Sequence, residues 1–477
     1  MEEITLKPEA SVQLPRNKMG TMPIGKLLFS MSIPMVISML VQALYNVVDG
    51  IFVSKLPNAL TAVGLAFPIQ MLMIAVAVGT SVGMNSLISR RLGERRFNEA
   101  NSAASNGLFL ELLSALLFLV IGLTLIGPFL RLFTDNNEVY SLALSYLRIC
   151  TVFGAGIFLQ CGGERILQSM GKTKLSMIAQ LAGAVTNIVL DPLLIFGYHG
   201  FPQMGIAGAA LATVIGQWVG MAICMLLIFK GKHEVKVSFR KFRPNTVAIR
   251  EIYRVGLPSI IMQSIGAVMN SGMNLVLSGL ISNGLLLGVP VMNVYFKMQS
   301  IIFMPMFGIT NASMSIIAYN YGARDYKRLK ATWLRTLQVC VLVMLFGLIC
   351  FQLFPSQIVS IFDSKGELAG AGLAAFRIIP LHFPVAAFCI TASVLFQAVG
   401  RGFYSMIISL LRQLVALLPA AAVLALATNS INAVWWAFPI AEIVSLITSS
   451  FFLLKLFKTD IANIRFSEKQ APLTGEV

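Results

Sequence analysis

The chain has 477 residues, of which 57% are hydrophobic and 12% charged, and its mean hydropathy is +0.81. A soluble domain carries about a quarter charged residues, so a soluble globular protein is excluded; apolar runs of ~20 residues, each long enough to cross a bilayer as helix, recur along the chain. The formal charge of +16 invites a nucleic-acid partner, but the basic residues gather in a few polar turns, as the positive-inside rule expects of cytoplasmic loops.

The polar segment 1–26, with Lys7, Arg16, Lys18 and Lys26, is expected to be a cytoplasmic tail rather than a cleavable signal. Six spans follow at 27–54, 61–89, 104–130, 140–165, 174–197 and 205–229. Arg90, Arg91, Arg95 and Arg96 mark the turn after the second. The basic segment 230–254, opening KGKHEVKVSFRKFRPN, is the expected cytoplasmic linker. Six further spans fall at 255–281, 285–318, 333–355, 371–398, 403–427 and 433–457, before a second basic tail, 458–477. The intervening connections YHGFPQMG (198–205), ISNG (281–284) and TNSINA (428–433) hold no Lys or Arg. The expected fold is therefore all-α: twelve transmembrane helices, multi-pass in the cell membrane, with both termini cytoplasmic.

The linker divides a repeat. Gly79 and Gly93 recur as Gly308 and Gly322, each 229 positions on, and GERRF (93–97) faces GARDY (322–326). The same shift takes LQSMGKTKLSM (167–177) onto FQAVGRGFYSM (396–406). Duplication of this kind predicts two pseudo-symmetric six-helix lobes, 27–229 and 255–457. With six spans each they run parallel, and transporters so built bind substrate between the halves and rock them alternately.

The catalytic signals are negative. GKT at 171–173 resembles the end of a phosphate-binding loop, but Ile166 stands where that loop needs glycine. Without ATP, transport has to run on an ion gradient. Cys150, Cys161, Cys224, Cys340, Cys350 and Cys389 lie in or beside apolar runs with no metal-ligand spacing. No nucleophile–base pair, metal motif or cofactor fingerprint appears, so no enzyme and no cofactor are expected.

The acidic residues within spans are Asp49, Glu111, Glu164, Asp191 and Glu442. Glu164 precedes Arg165, which suggests a local ion pair, and Glu111 and Glu442 read as structural. Asp49 and Asp191 differ. A charge at mid-bilayer costs roughly 2.5–3.5 kcal/mol on insertion scales, so each has to be paired, hydrated or protonated. Tyr45 and Asn187 each stand four residues before one of them, one helical turn away on the same face. Pro34 and Pro192 are expected to bend their helices. The repeat places Met273 opposite Asp49 and Ala420 opposite Asp191, so the carboxylate pair is confined to the first half. That asymmetry suggests cation coupling there, the competing reading being a polar network that only joins helices. A substrate cavity is expected from Gln42, Met269, Met273 and Lys297: flexible thioethers suit a wall for many apolar shapes, and Lys297 either pairs locally or meets an anionic substrate.

YNVVDGIFVSKL (45–56), NIVLDP (187–192), GIAGAALAT (205–213) and IIAYNYGARDYKR (316–328) together resemble the multidrug and toxic compound extrusion (MATE) family, most closely its DinF-like prokaryotic branch. The resemblance runs from Pro34 to about Phe457. It implies export of amphipathic, often cationic, organic compounds against entry of protons or sodium. It also implies a cation-coupling group of Tyr45, Asp49, Asn187, Asp191 and Thr213. A second branch keeps an acidic site on its seventh and tenth helices, but here 255–281 and 372–398 hold no Asp or Glu. The rival functions are a lipid-carrier flippase of the wider superfamily, with Lys297, Arg148 and Arg412 as its cations, and an exporter of an endogenous metabolite.

Overall fold

A computed structural model describes residues 17–240, 242–280, 287–360 and 369–461. The connection 281–284 and most of both tails lie outside the described residues. Within them, eleven helices are long and apolar enough to cross a membrane, and a bent pair supplies a twelfth. In chain order they are α1 (Ile24–Ser54), α2 (Ala59–Gly93), α3 (Phe97–Thr124), α4 (Asn137–Val152 and Ala155–Ser169), α5 (Thr173–Phe196) and α6 (Ile206–Lys230). The second half comprises α7 (Thr246–Leu280), α8 (Val289–Gly322), α9 (Tyr326–Leu353), α10 (Gly372–Ala398), α11 (Gly402–Thr428) and α12 (Ile431–Thr459). Helix is the outcome because hydrocarbon leaves backbone N–H and C=O no partner except one another.

Local chemistry sets the ends and irregularities. Asn136 accepts from the backbone of Glu138 and Val139 to start α4, which turns through 44° between its two pieces. Asp325 accepts from Arg328 N to start α9. Pro34 and Pro192 sit inside α1 and α5, both of which continue helically through them.

The linker is shorter than its composition suggested. α7 begins at Thr246, where the Asn245 side chain accepts from Val247 N and Ala248 N. Hydropathy marks the membrane boundary, whereas the capped helix continues beyond it into the basic sequence. The extended remainder is stitched to α3: Lys236 N donates to Asn101 Oδ1 (2.6 Å), Ser238 N to Ser105 Oγ (3.3 Å) and Asn245 N to Asn106 Oδ1 (2.8 Å).

Within the first half, α5 packs along α6 and α1 along α5; in the second, α10 packs against α9 and α12. The halves meet where α2 lies along α7 and α1 along α8. Glycines make that seam tight. A Cβ on Gly83 would come within 2.2 Å of Ile252 O, one on Gly93 within 2.0 Å of Tyr319 O, and one on Gly322 within 2.0 Å of Arg90 O. Ser86 Oγ adds a bond to Gln397 O (2.7 Å), and Ser315 Oγ one to Asn85 Oδ1 (3.1 Å). All of these lie toward the end that carries the α2–α3 and α8–α9 turns. Beyond the seam the halves part around a cavity of about 670 Å³.

Candidate functional site

The polar group in the first half is assembled by three helices. Asp191 on α5 is completely buried, and Asn187, one turn earlier, donates through Nδ2 to its Oδ1 (3.3 Å). The same amide lies 3.3 Å from Thr213 Oγ1 on α6. On α1, Asp49 is within electrostatic reach of Asp191, and Tyr45 is within reach of Asp49. Gln180 Nε2 of α5 donates to Gln42 Oε1 of α1 (3.2 Å), tying the two helices together nearer the cavity.

The group is incompletely satisfied. Asp49 Oδ1, Asn187 Oδ1 and Asp191 Oδ2 are buried without a hydrogen-bond partner. Unpartnered buried oxygens occur elsewhere too, on Glu111 and Glu442, but here three gather in one group, where they suit a proton, a cation or water. Among the described residues no three His, Cys, Asp or Glu side chains converge as metal ligands. Sequence reasoning missed the neighbouring Gln70, whose Nε2 donates to Tyr146 OH (3.1 Å) beside Asp49. The available signal was a lone glutamine inside the apolar run 62–79 of α2.

The cavity lies between the halves but is built mostly by the second. Gln42 and Met269 line it, with Met39, Met262 and Met304. Met273 does not: it is fully buried in the second half's apolar core with Met292 and Tyr295. Four residues from Met269 still means a 40° rotation about the helix, enough to turn a side chain from the wall into the packing behind it. Lys297 is exposed and absent from the lining, although its neighbour Phe296 belongs to it. Arg148 is likewise exposed and off the cavity. The three cations that a pyrophosphate-binding flippase would use therefore do not converge.

Two acidic readings also change. Glu442 of α12 lines the cavity; its Oε2 accepts from Arg412 Nη1 of α11 (3.3 Å) and lies 3.6 Å from His382 Nδ1 of α10. Glu164 does not close an ion pair with Arg165. It accepts from Gln160 Nε2 (2.9 Å), one turn before it, while Arg165 Nη1 reaches Gln168 Oε1 (3.0 Å) and, across the seam, Asn311 Oδ1 (3.2 Å). Adjacent helical residues point about 100° apart, which separates the two partners. Glu111 accepts from Ser81 Oγ (2.7 Å) in a buried α2–α3 contact.

The MatE family model matches residues 34–193 and 258–423, one block in each half. The chain belongs to the MatE family. Among its relatives, the probable multidrug resistance protein NorM of Thermotoga maritima is 27% identical over 410 residues, 84% of this chain and 86% of that one. The FAD transporter of Shewanella oneidensis is 24% identical over 411 residues, 85% of this chain and 89% of that protein. A solved outward-facing multidrug resistance MATE transporter superposes with a TM-score of 0.87 at 29% identity, over 95% of this chain and 99% of that one. This MatE protein is accordingly a multi-pass membrane transporter of small molecules, and not an enzyme.

Proposed function

We propose that this MatE protein exports amphipathic organic compounds across the cell membrane in exchange for protons, coupled through Asp49 and Asp191. The observation that carries the reading is the orphaned carboxylate pair: Asp191 is fully buried, and each aspartate has an oxygen without a partner. Tyr45, Asn187 and Thr213 are the hydrogen-bonding groups that follow the change of protonation. Proton uptake removes charge between α1 and α5, and α1 carries the change to the cavity through Gln42 and to the second half through α8. The segments 27–229 and 255–457 then move as lobes, with both termini in the cytoplasm. The driving energy is adequate: ~2.3 kcal/mol per charge per 100 mV, plus about 1.4 kcal/mol per pH unit.

Sodium is the rival ion, and a metabolite the rival cargo, a reading favoured by the FAD transporter among the relatives. The test is dye flux in proteoliposomes with pH and sodium gradients imposed separately. Flux should follow the pH gradient, and Asp191→Asn should abolish it while folded protein remains in the membrane. Flux that follows sodium alone reassigns the ion; near-normal coupled flux by Asp191→Asn removes the mechanism.

A further inference from the structure

The charge of the cavity bears on its cargo. Its lining carries two guanidiniums, Arg165 and Arg412, against one carboxylate, Glu442, with His382 beside them and no aspartate. Glu442 is already engaged, because Arg412 and His382 both lie against its Oε2. A cation entering here finds a single carboxylate, already paired through Oε2 with Arg412 and with only its Oε1 unpartnered.

Arg165 is differently held. It is buried, and its side chain donates to two neutral amide oxygens, Gln168 Oε1 and Asn311 Oδ1. Among the described residues no carboxylate lies within ion-pair distance of it, since Glu164 turns to Gln160. A guanidinium offers five N–H donors. Two amide acceptors on one of its nitrogens fix its direction, and Glu164 acts on it through space rather than by a direct ion pair; a cation within a membrane protein that no carboxylate contacts is by default a functional group. Phe303, Phe307 and Met269 supply an apolar wall in the same cavity.

We infer that the cavity selects amphipathic organic anions, with a carboxylate or phosphate head met by Arg165 and Arg412 and an aromatic or apolar body lying along the second half. This rests on the export reading only in taking the cavity as the cargo site; it is independent of the coupling ion. The wall fits bodies of many shapes, while the cationic compounds that the resemblance implies are the disfavoured class.

Fluorescein and rhodamine 123 share a xanthene ring system and differ in charge, so they separate charge from shape. Their binding to the purified full chain in detergent, measured by fluorescence anisotropy with fluorescein ionised, needs no gradient. Fluorescein should bind at least about tenfold more tightly, the scale of one charge-assisted contact. Arg165→Gln should weaken fluorescein about tenfold and leave rhodamine 123 nearly unchanged, Arg165→Lys should retain most of the affinity, and Glu442→Gln, which frees Arg412, should tighten fluorescein. Asn311→Ala, which removes the tether and keeps the charge, controls for damage to the seam.

Rhodamine 123 binding as tightly as fluorescein overturns the inference. So does an Arg165→Gln protein that loses both dyes equally, or an Arg165→Lys protein no better than Arg165→Gln. Fluorescein binding that survives while gradient-driven flux is absent would overturn the coupling and leave this inference standing.

Discussion

Asp191 and Met273 illustrate how far a single side chain is decided by its neighbours. The one-turn spacing of Asn187 to Asp191 is local, and the structure joins the two at 3.3 Å. If Asp49 and Asp191 handle protons as a unit, Asp49→Asn and Asp191→Asn should each abolish pH-driven flux. The double variant should then be little worse than either, because residues acting together are non-additive; additive partial losses in flux measurements would separate their roles. The methionines divide similarly. Met269→Ala should shift which compounds compete for binding while proton-driven flux persists. Met273→Ala, in the packed core, should lower stability by about 2–5 kcal/mol, read as a fall in thermal midpoint with little change in compound profile. The opposite assignment would put Met273 in the cavity wall.

At the level of the helix, the glycines of α2 and α8 carry the most specific expectation. Gly93 and Gly322 occupy equivalent places in the repeat, and each backbone presses on the other half's helix end. Adding a methyl group there overpacks the seam at about 1–3 kcal/mol. Gly93→Ala should therefore make the halves part more often at this end. A single cysteine replacing the buried Ser86 should then react with thiol reagents roughly tenfold faster; unchanged labelling would show that the seam does not gate. The positions of these glycines were visible as a repeat in the sequence. That they face each other was not, because a repeat gives equivalence and not contact.

For the whole molecule, the charged loops imply an orientation. On a cysteine-free background, a cysteine at Gln203 should react with impermeant reagents outside the cell, and one at Arg324 should not. The reverse pattern would invert the direction of transport. A short helix, Lys18–Thr21, reinforces the basic end. Arg328 Nη2 donates to Met19 O (3.0 Å) and Met22 O (2.8 Å), while Asn17 Nδ2 donates to Glu234 Oε2 (2.7 Å) in the linker. The polar segment read as a simple tail thus contributes to holding the two halves together there.

Helices, their order and their repeat follow from the sequence because hydrocarbon forces each apolar run to satisfy its own backbone, and local hydropathy marks where that happens. The Asn187–Asp191 pair was legible for the same reason, since both members lie on one helix. The contacts between helices were not. Glu442 meets His382 and Arg412 from three different helices, and Arg165 passes over its sequence neighbour Glu164 to reach Asn311 in the other half. Met273 and Met269, alike in sequence, are sorted to core and cavity. These outcomes depend on the rotation and tilt of each helix against the next, which packing across the whole bundle decides and no local pattern encodes.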